Sequence, residues 1–179
     1  MSYQLFRATR ENELFRACEG QWTQQLEDMG EDAPAEYFQM PLSFARSIIE
    51  SRVPSVTDDY CIYILMDREA SDHMAILHVN HMHRNSTDPV LKILWAYISP
   101  KFNFPGQDYE LFATINTLFI TCTLILSKTD MPSKEVKILI QNETDRRVYT
   151  SVVAAMKSSR SDIKLEIKGS WVHMCSNDD

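Results

Sequence analysis

The chain has 179 residues, 44% hydrophobic and 24% charged, a balance that fits one packed domain over 1–179 and excludes a disordered or fibrous chain. A net charge of −7 excludes general affinity for nucleic acid or an anionic membrane, because both need an excess of Lys and Arg. Cys18, Cys61, Cys122 and Cys175 form no C-x-x-C pair and sit in or beside apolar runs. With no secretory signal in MSYQLFRATRENE, they read as reduced thiols of a cytoplasmic protein.

YQLFRAT (3–9) alternates as a first strand should. In ENELFRACEGQWTQQLED (11–28), Leu14, Cys18, Trp22 and Leu26 recur every four residues and predict one apolar helix stripe, weakened somewhat by Gly20. An acidic loop over 27–39 follows, carrying Glu27, Asp28, Glu31, Asp32 and Glu36. Pro41 then opens a second helix, PLSFARSIIESR, in the first turn where its missing N–H costs nothing, and Pro54 ends it.

Three strands are predicted next, at about 60–66, 73–83 and 90–99, joined by DREAS and NSTDP, both rich in turn formers. Their spacing suits an antiparallel meander. The loop NFPGQDYELF leads into a helix that Asp108 can cap and that runs to about Ser127. Its β-branched residues favour a strand, but a strand of that length would be unusual, so length decides for helix. From Leu111 to Ser127 no residue is charged, yet Thr114, Asn116, Thr117, Thr121, Thr123 and Ser127 suit it poorly to lipid, so no membrane span is expected.

EVKILIQNE (135–143) reads as a strand. TDRRVYTSVVAAMKSS (144–159) reads as a helix with Val148, Val152, Ala155 and Met156 on one side. DIKLEIKGS and WVHMCS read as two closing strands separated by Gly169 and Ser170. The order β-α-α-β-β-β-α-β-α-β-β predicts an α/β (α+β) fold, a mixed, mostly antiparallel sheet flanked by helices.

The third meander strand ends at Ile98-Ser99-Pro100, and Asn103, Gly106 and Asp108 follow it into a helix. After the next strand comes Asn142, with Tyr149 seven residues on. In these residues and in its element order, almost the whole chain resembles the GNAT superfamily of acyl-CoA-dependent N-acyltransferases. There the fourth strand ends near an apolar-x-Pro, a [Q/R]-x-x-G-x-[G/A] loop follows, and an Asn after the fifth strand precedes a Tyr by seven residues. Of the loop positions only Gly106 fits outright, and the family's Tyr-x-x-x-Gly-Phe-like ending is missing from YTSVVAAMKSSRSD.

The resemblance implies acetyl-CoA or another acyl-CoA as cofactor. Ile98 would offer backbone groups to the pantetheine arm, Asn103, Gly106 and Asp108 would hold the pyrophosphate, Asn142 would also bind the cofactor, and Tyr149 would be the acid that protonates the departing thiolate. A cationic amine would be the acceptor, drawn by the acidic loop.

The loop chemistry is mixed. A helix N-terminus attracts anions, and glycines let backbone approach a phosphate. Here Phe104 and Pro105 crowd the loop, Pro105 removes a donor, and Asp108 and Glu110 add charge of the wrong sign. A unit charge about 4 Å from a phosphate costs on the order of 1–4 kcal/mol. Lys101 would offset part of that. Two readings therefore stand: an N-acyltransferase moving an acetyl or acyl group to a primary amine, and a catalytically inactive GNAT-like protein, without cofactor, that binds a protein partner or forms a homodimer.

His73, His78, His81 and His83 crowd one strand and its turn. Alternation places His73, His81 and His83 on one face and His78 on the other. No carboxylate completes a ligand set, so no metal is expected, and His78 is expected to be a hydrogen-bonded core residue. KILWAYI offers no carboxylate as base, and its Trp95 and Tyr97 share a face.

Overall fold

The computed structural model describes residues 3–30, 35–51, 59–103, 109–159 and 162–176. Their elements run β1 (Tyr3–Ala8), α1 (Leu14–Met29), α2 (Ala35–Glu50), β2 (Tyr60–Asp67), β3 (Asp72–Met82), β4 (Val90–Ile98), a 3₁₀ turn at Pro100–Phe102, α3 (Tyr109–Leu126), β5 (Glu135–Leu139), α4 (Glu143–Ser159), β6 (Ile163–Lys168) and β7 (Trp171–Ser176). Apart from the 3₁₀ turn, this is the order read from the sequence. The strands form one seven-stranded sheet, β1-β2-β3-β4-β5-β7-β6. Every pairing is antiparallel except β4 with β5, which is parallel.

Helices cover both faces. Against α3 and α4 pack Leu77, Leu91, Ile93, Val136 and Ile138, with Phe119 and Val152 from the helices. Against α1 and α2 pack Ile62, Ile64 and Ile76, with Trp22 and Phe38. α3 is buried along Ile115, Phe119, Ile120 and Leu126, and its threonines return their hydroxyls to its own backbone: Thr117 to Ala113 O, Thr121 to Thr117 O and Thr123 to Phe119 O. Those bonds let a β-branched, hydroxyl-rich segment persist as a buried helix. No helix among the described residues is long and apolar enough to cross a membrane.

Several expectations need correction. α2 begins at Ala35, so Pro41 lies inside it rather than opening it. Its missing N–H forgoes one bond to the carbonyl four residues back, a loss the buried packing of Phe38, Leu42 and Ala45 offsets. The acidic stretch is accordingly not one loop: Glu27 and Asp28 belong to α1 and Glu36 to the first turn of α2, while Glu31 and Asp32 lie outside the described residues. α1 starts at Leu14 rather than 11, because Asn12 and Thr9 exchange side-chain to backbone bonds and Asn12 Oδ1 also accepts the Leu14 N–H. β5 stops at Leu139, short of 143.

Two bulges reset the faces. Leu65 pairs with Ala75 and Met66 with His73, leaving Met74 as the extra residue of β3. His73 therefore lies on the α1 side, its Nδ1 3.0 Å from Gln21 Oε1. His81 faces the other way, its Nε2 3.1 Å from Pro132 O, so His73 and His81 do not share a face. His78 pairs with Trp95 and Val79 with Ile93, leaving Leu94 as the extra residue of β4. Leu91 and Ile93 thus face α3, and Trp95 and Tyr97 face α2. No group of three His, Cys, Asp or Glu side chains among the described residues could hold a metal.

Trp22 anchors α1 to the sheet: its ring is fully buried and its Nε1 donates to His73 O at 2.8 Å. Trp22→Phe should keep most of the packing but strand that carbonyl, lowering stability by about 1–3 kcal/mol in urea unfolding.

Candidate active site

The β4–β5 ladder is short. It runs from Val90–Glu135 to Ile93–Ile138 and goes no further, although β4 continues to Ile98. The Leu94 bulge turns β4 away. On the other side, Ile140 N–H is held by Ser170 O, which keeps the chain after β5 with β7. The strands therefore splay, and the β5-facing edge of β4 past Ile93 is left without a strand partner. Gln141 spans the gap, donating from Nε2 to Leu94 O at 3.3 Å.

A cavity of about 190 Å³ occupies this split. Tyr37 of α2 walls it from one face of the sheet, and Asn116 of α3 and Tyr149 of α4 from the other. It thus passes between β4 and β5 from one helical layer to the next. Ala96, Ile98 and Leu139 supply the strand walls, and Asn103, Asn142 and Asp145 supply the polar ones.

The start of α4 is fixed by reciprocal capping. Asn142 Oδ1 accepts the Asp145 N–H at 2.8 Å, and Asp145 Oδ2 accepts the Gln141 N–H at 3.2 Å. Asn142 thus caps a first-turn N–H of the helix, and Asp145 ties down the residue just before the cap. This sets the rotation of α4 so that Asp145 and Tyr149, one turn apart, both reach the cavity.

Burial raises the Asp145 carboxyl above the usual carboxylate range, against the opposing pull of the Gln141 and Asn142 backbone groups. Burial, reinforced by the Asp145 charge, holds the Tyr149 phenol far above its usual range, so it keeps its proton. Tyr37 and Tyr97 are raised chiefly by burial. In Tyr37 a side-chain bond to Asn103 opposes the rise, and Asp145 adds to it in both. Their rings meet edge to face at 5.9 Å. Asp145 therefore senses a tyrosine on each side of the sheet.

Beneath α2 the half-exposed Phe44 stacks on His78 at 4.8 Å, and Trp95 abuts both rings at 5.0 Å. His78 is 2% exposed and neither ring nitrogen has a hydrogen-bond partner among the described residues, so there it is a core imidazole without the hydrogen bond expected. A larger groove of about 400 Å³ lies between α1 and α2. Four of its charges pair with each other, Arg16 with Glu13 and Arg46 with Glu19, and its lining shares no residue with the sheet opening.

Of the residues singled out in the sequence, Ile98, Asn103, Asn142 and Tyr149 line this one cavity. Gly106 and Asp108 fall in 104–108, outside the described residues. Lys101, expected to offset negative charge at the loop, instead places its Nζ 2.7 Å from Asp72 Oδ2. Sequence reasoning missed Tyr37, Asn116, Gln141 and Asp145. The N-x-x-D spacing of Asn142 and Asp145 was a readable capping signal, and Asn116 was a lone amide in an apolar helix.

The sequence matches no protein-family model, and no curated protein matches it. The structure overlays on an aminoglycoside N(6')acetyltransferase from Legionella pneumophila with a TM-score of 0.53, covering 99% of this chain and 94% of that one at 14% identity. The N-acetyltransferase PseH from Campylobacter jejuni overlays with a TM-score of 0.48, covering 97% of this chain and 96% of that one at 9% identity. The first overlay establishes a shared fold, and the resemblance to the GNAT superfamily holds at that level.

The His78 imidazole is depressed from 6.5 to about 4 by burial. An unfolded chain takes up that proton near the ordinary value and the native state does not. Stability should therefore be whole above pH 6.5 and fall as the pH drops toward 4. His78→Phe should flatten that limb in thermal melts across this window. A residual slope should remain from His73, which burial also depresses.

Proposed function

We propose, from the fold it shares with N-acetyltransferases, that this chain moves an acetyl or other acyl group from acyl-CoA to a primary amine. The observation that carries the reading is the cavity joining the unpaired edge of β4 to Tyr149 through the sheet. A bound acyl-CoA supplies an activated thioester and a thiol leaving group.

The residues present fit such a molecule. Past Leu94, whose carbonyl Gln141 takes, β4 runs to Ile98 along an edge that no described strand covers, which suits an extended arm bearing amides, with Ile98 at its far end. Gly106 and Asp108 come just before α3 in chain order, and the first N–H groups of a helix attract a pyrophosphate. Asn103 precedes them in the chain. The Asn142 side-chain oxygen is occupied by its bond to the Asp145 N–H, so Asn142 serves by fixing the entry of α4 and hence the reach of Tyr149.

Tyr149 is the acid. Its phenol stays protonated at any physiological pH and lies at the cavity wall. A thiolate leaving in the same water-poor space is also poorly solvated, which raises its own demand for a proton. Glu27, Asp28 and Glu36, on the side of the sheet that carries α1 and α2, favour the approach of a cationic amine.

Calorimetric titration with acetyl-CoA tests this directly. Micromolar, salt-sensitive binding is expected, lost on replacing Gly106 with leucine. Tyr149→Phe should leave the dissociation constant unchanged and lower kcat by about 10²–10⁴-fold. Absence of binding at millimolar acetyl-CoA would overturn the proposal and leave the protein-binding reading.

A further inference from the structure

Asp145 is the one charged side chain among the described residues that line the cavity. It is half-buried, one of its oxygens accepts the Gln141 N–H, and no described cation lines the cavity to balance it. Two cations close to it in the chain or at the cavity's edge are engaged elsewhere. Lys101 is bound to Asp72, and Arg146 donates to Gly169 O at 3.1 Å while its Nε lies 3.9 Å from Glu143. A carboxylate withdrawn from water and facing a cavity without a counter-charge is a site for a cation.

The surroundings say which kind. The half-exposed Tyr37 of α2 lines the opening, and the buried Tyr97 of β4 stands behind it, ring against ring at 5.9 Å. Aromatic faces attract organic ammonium groups and tolerate their alkyl chains, whereas a bare metal ion would need more oxygen ligands than one carboxylate provides. Both rings lie on the α1/α2 side of the sheet, and Tyr149 lies on the other.

We propose that Asp145 and Tyr37, the latter backed by Tyr97, form the subsite for the acceptor's primary ammonium, and that Asp145 is the base that deprotonates it. The proton-transfer half of this rests on the acyltransferase reading; the binding half does not. Asp145 and Tyr149 are one turn apart on α4, about 6 Å along its axis, so base and acid can flank a single reacting carbon. The ammonium gives one proton to Asp145. The neutral amine's lone pair forms the C–N bond to the thioester carbonyl carbon as the C–S bond breaks. The sulfur takes the Tyr149 proton, and Tyr149 regains one from the nitrogen. Asp145 then releases its proton to water, so ammonium and thioester become amide, thiol and one free proton.

The test uses n-butylammonium as the probe and n-butanol as its neutral counterpart, titrated without cofactor and followed by NMR shifts of the protein. The ammonium should bind and the alcohol should not. Asp145→Asn, which keeps an acceptor for the Gln141 N–H, should weaken ammonium binding about ten- to a hundredfold. Tyr37→Ala, at a half-exposed position that leaves the core intact, should weaken it less. No ammonium binding by the unaltered chain, equal binding of the alcohol, or unchanged binding by Asp145→Asn would each overturn the subsite. Parallel titration with acetyl-CoA separates the two claims. Asp145-dependent ammonium binding without acetyl-CoA binding would keep the subsite and remove both the acyltransferase reading and the base role. Acetyl-CoA binding with amine acetylation undiminished in Asp145→Asn would keep the reading and remove the subsite.

Discussion

Everything about the cavity follows from one constraint: β4 and β5 can pair through Ile93 and Ile138 and no further. A parallel ladder needs two strands that stay in step. The extra residue at Leu94 bends and twists β4 at the level where pairing stops. On the other side, β5 ends at Leu139, and within three residues the chain has become a capped helix. Neither cause alone would open the sheet. A bulge with a long β5 would let pairing resume, and a short β5 beside a straight β4 would leave only a ragged edge. Gln141 partly closes the gap by reaching Leu94 O with its side chain, which satisfies one carbonyl without refilling the ladder.

The capping exchange at α4 ties local structure to chemistry. Asn142 accepts the Asp145 N–H in the first turn, and Asp145 accepts the Gln141 N–H just ahead of the helix, which fixes both where the helix begins and how it is rotated. The helix dipole favours an acidic residue at this place, yet burial outweighs it and Asp145 is less readily ionised than an exposed carboxyl. A polar or apolar residue would cap or fill the position with less strain on its ionisation. A charge kept where solvent is scarce is a departure from what stability alone would choose, and such departures gather at functional sites.

The element order was legible because most segments carry a clear period and are bounded by turn formers. Face assignments were less so, and the bulges explain why. In VLKILWAYI, Leu91, Ile93, Trp95 and Tyr97 alternate without a break, so the sequence reads as one face; the extra residue at Leu94 divides them between two. The same happens at Met74, which moves His73 away from His81. Pro41 misled in another way. Proline is commonest in a first turn, but here six helical residues precede it, and that prior hid Tyr37 in a supposed loop. Ile98, Asn103, Asn142 and Tyr149, which line one cavity, could be singled out because their spacing along the chain survives every bulge. Asp145 and Tyr37 were not, because only the folded sheet brings them to the same opening.

The arrangement also bears on why such a cavity belongs in the middle of a sheet. A reaction between two bound molecules needs them to meet in line and to be handled by different groups. A continuous sheet separates its two helical layers completely, so groups on opposite faces cannot act on one atom. The split lets the α3/α4 layer present a phenol that holds its proton and the α1/α2 layer present aromatic rings, with Asp145 at the tip of the gap between them. On the proposed reading, the edge of β4 would hold the acyl-CoA arm and Tyr37 would stand where the amine enters, so each substrate would be handled by its own set of residues. The cost is an unpaired strand edge in the centre of the fold. The buried ladders of β2, β3 and β4 on one side and of β5, β7 and β6 on the other hold that edge in place.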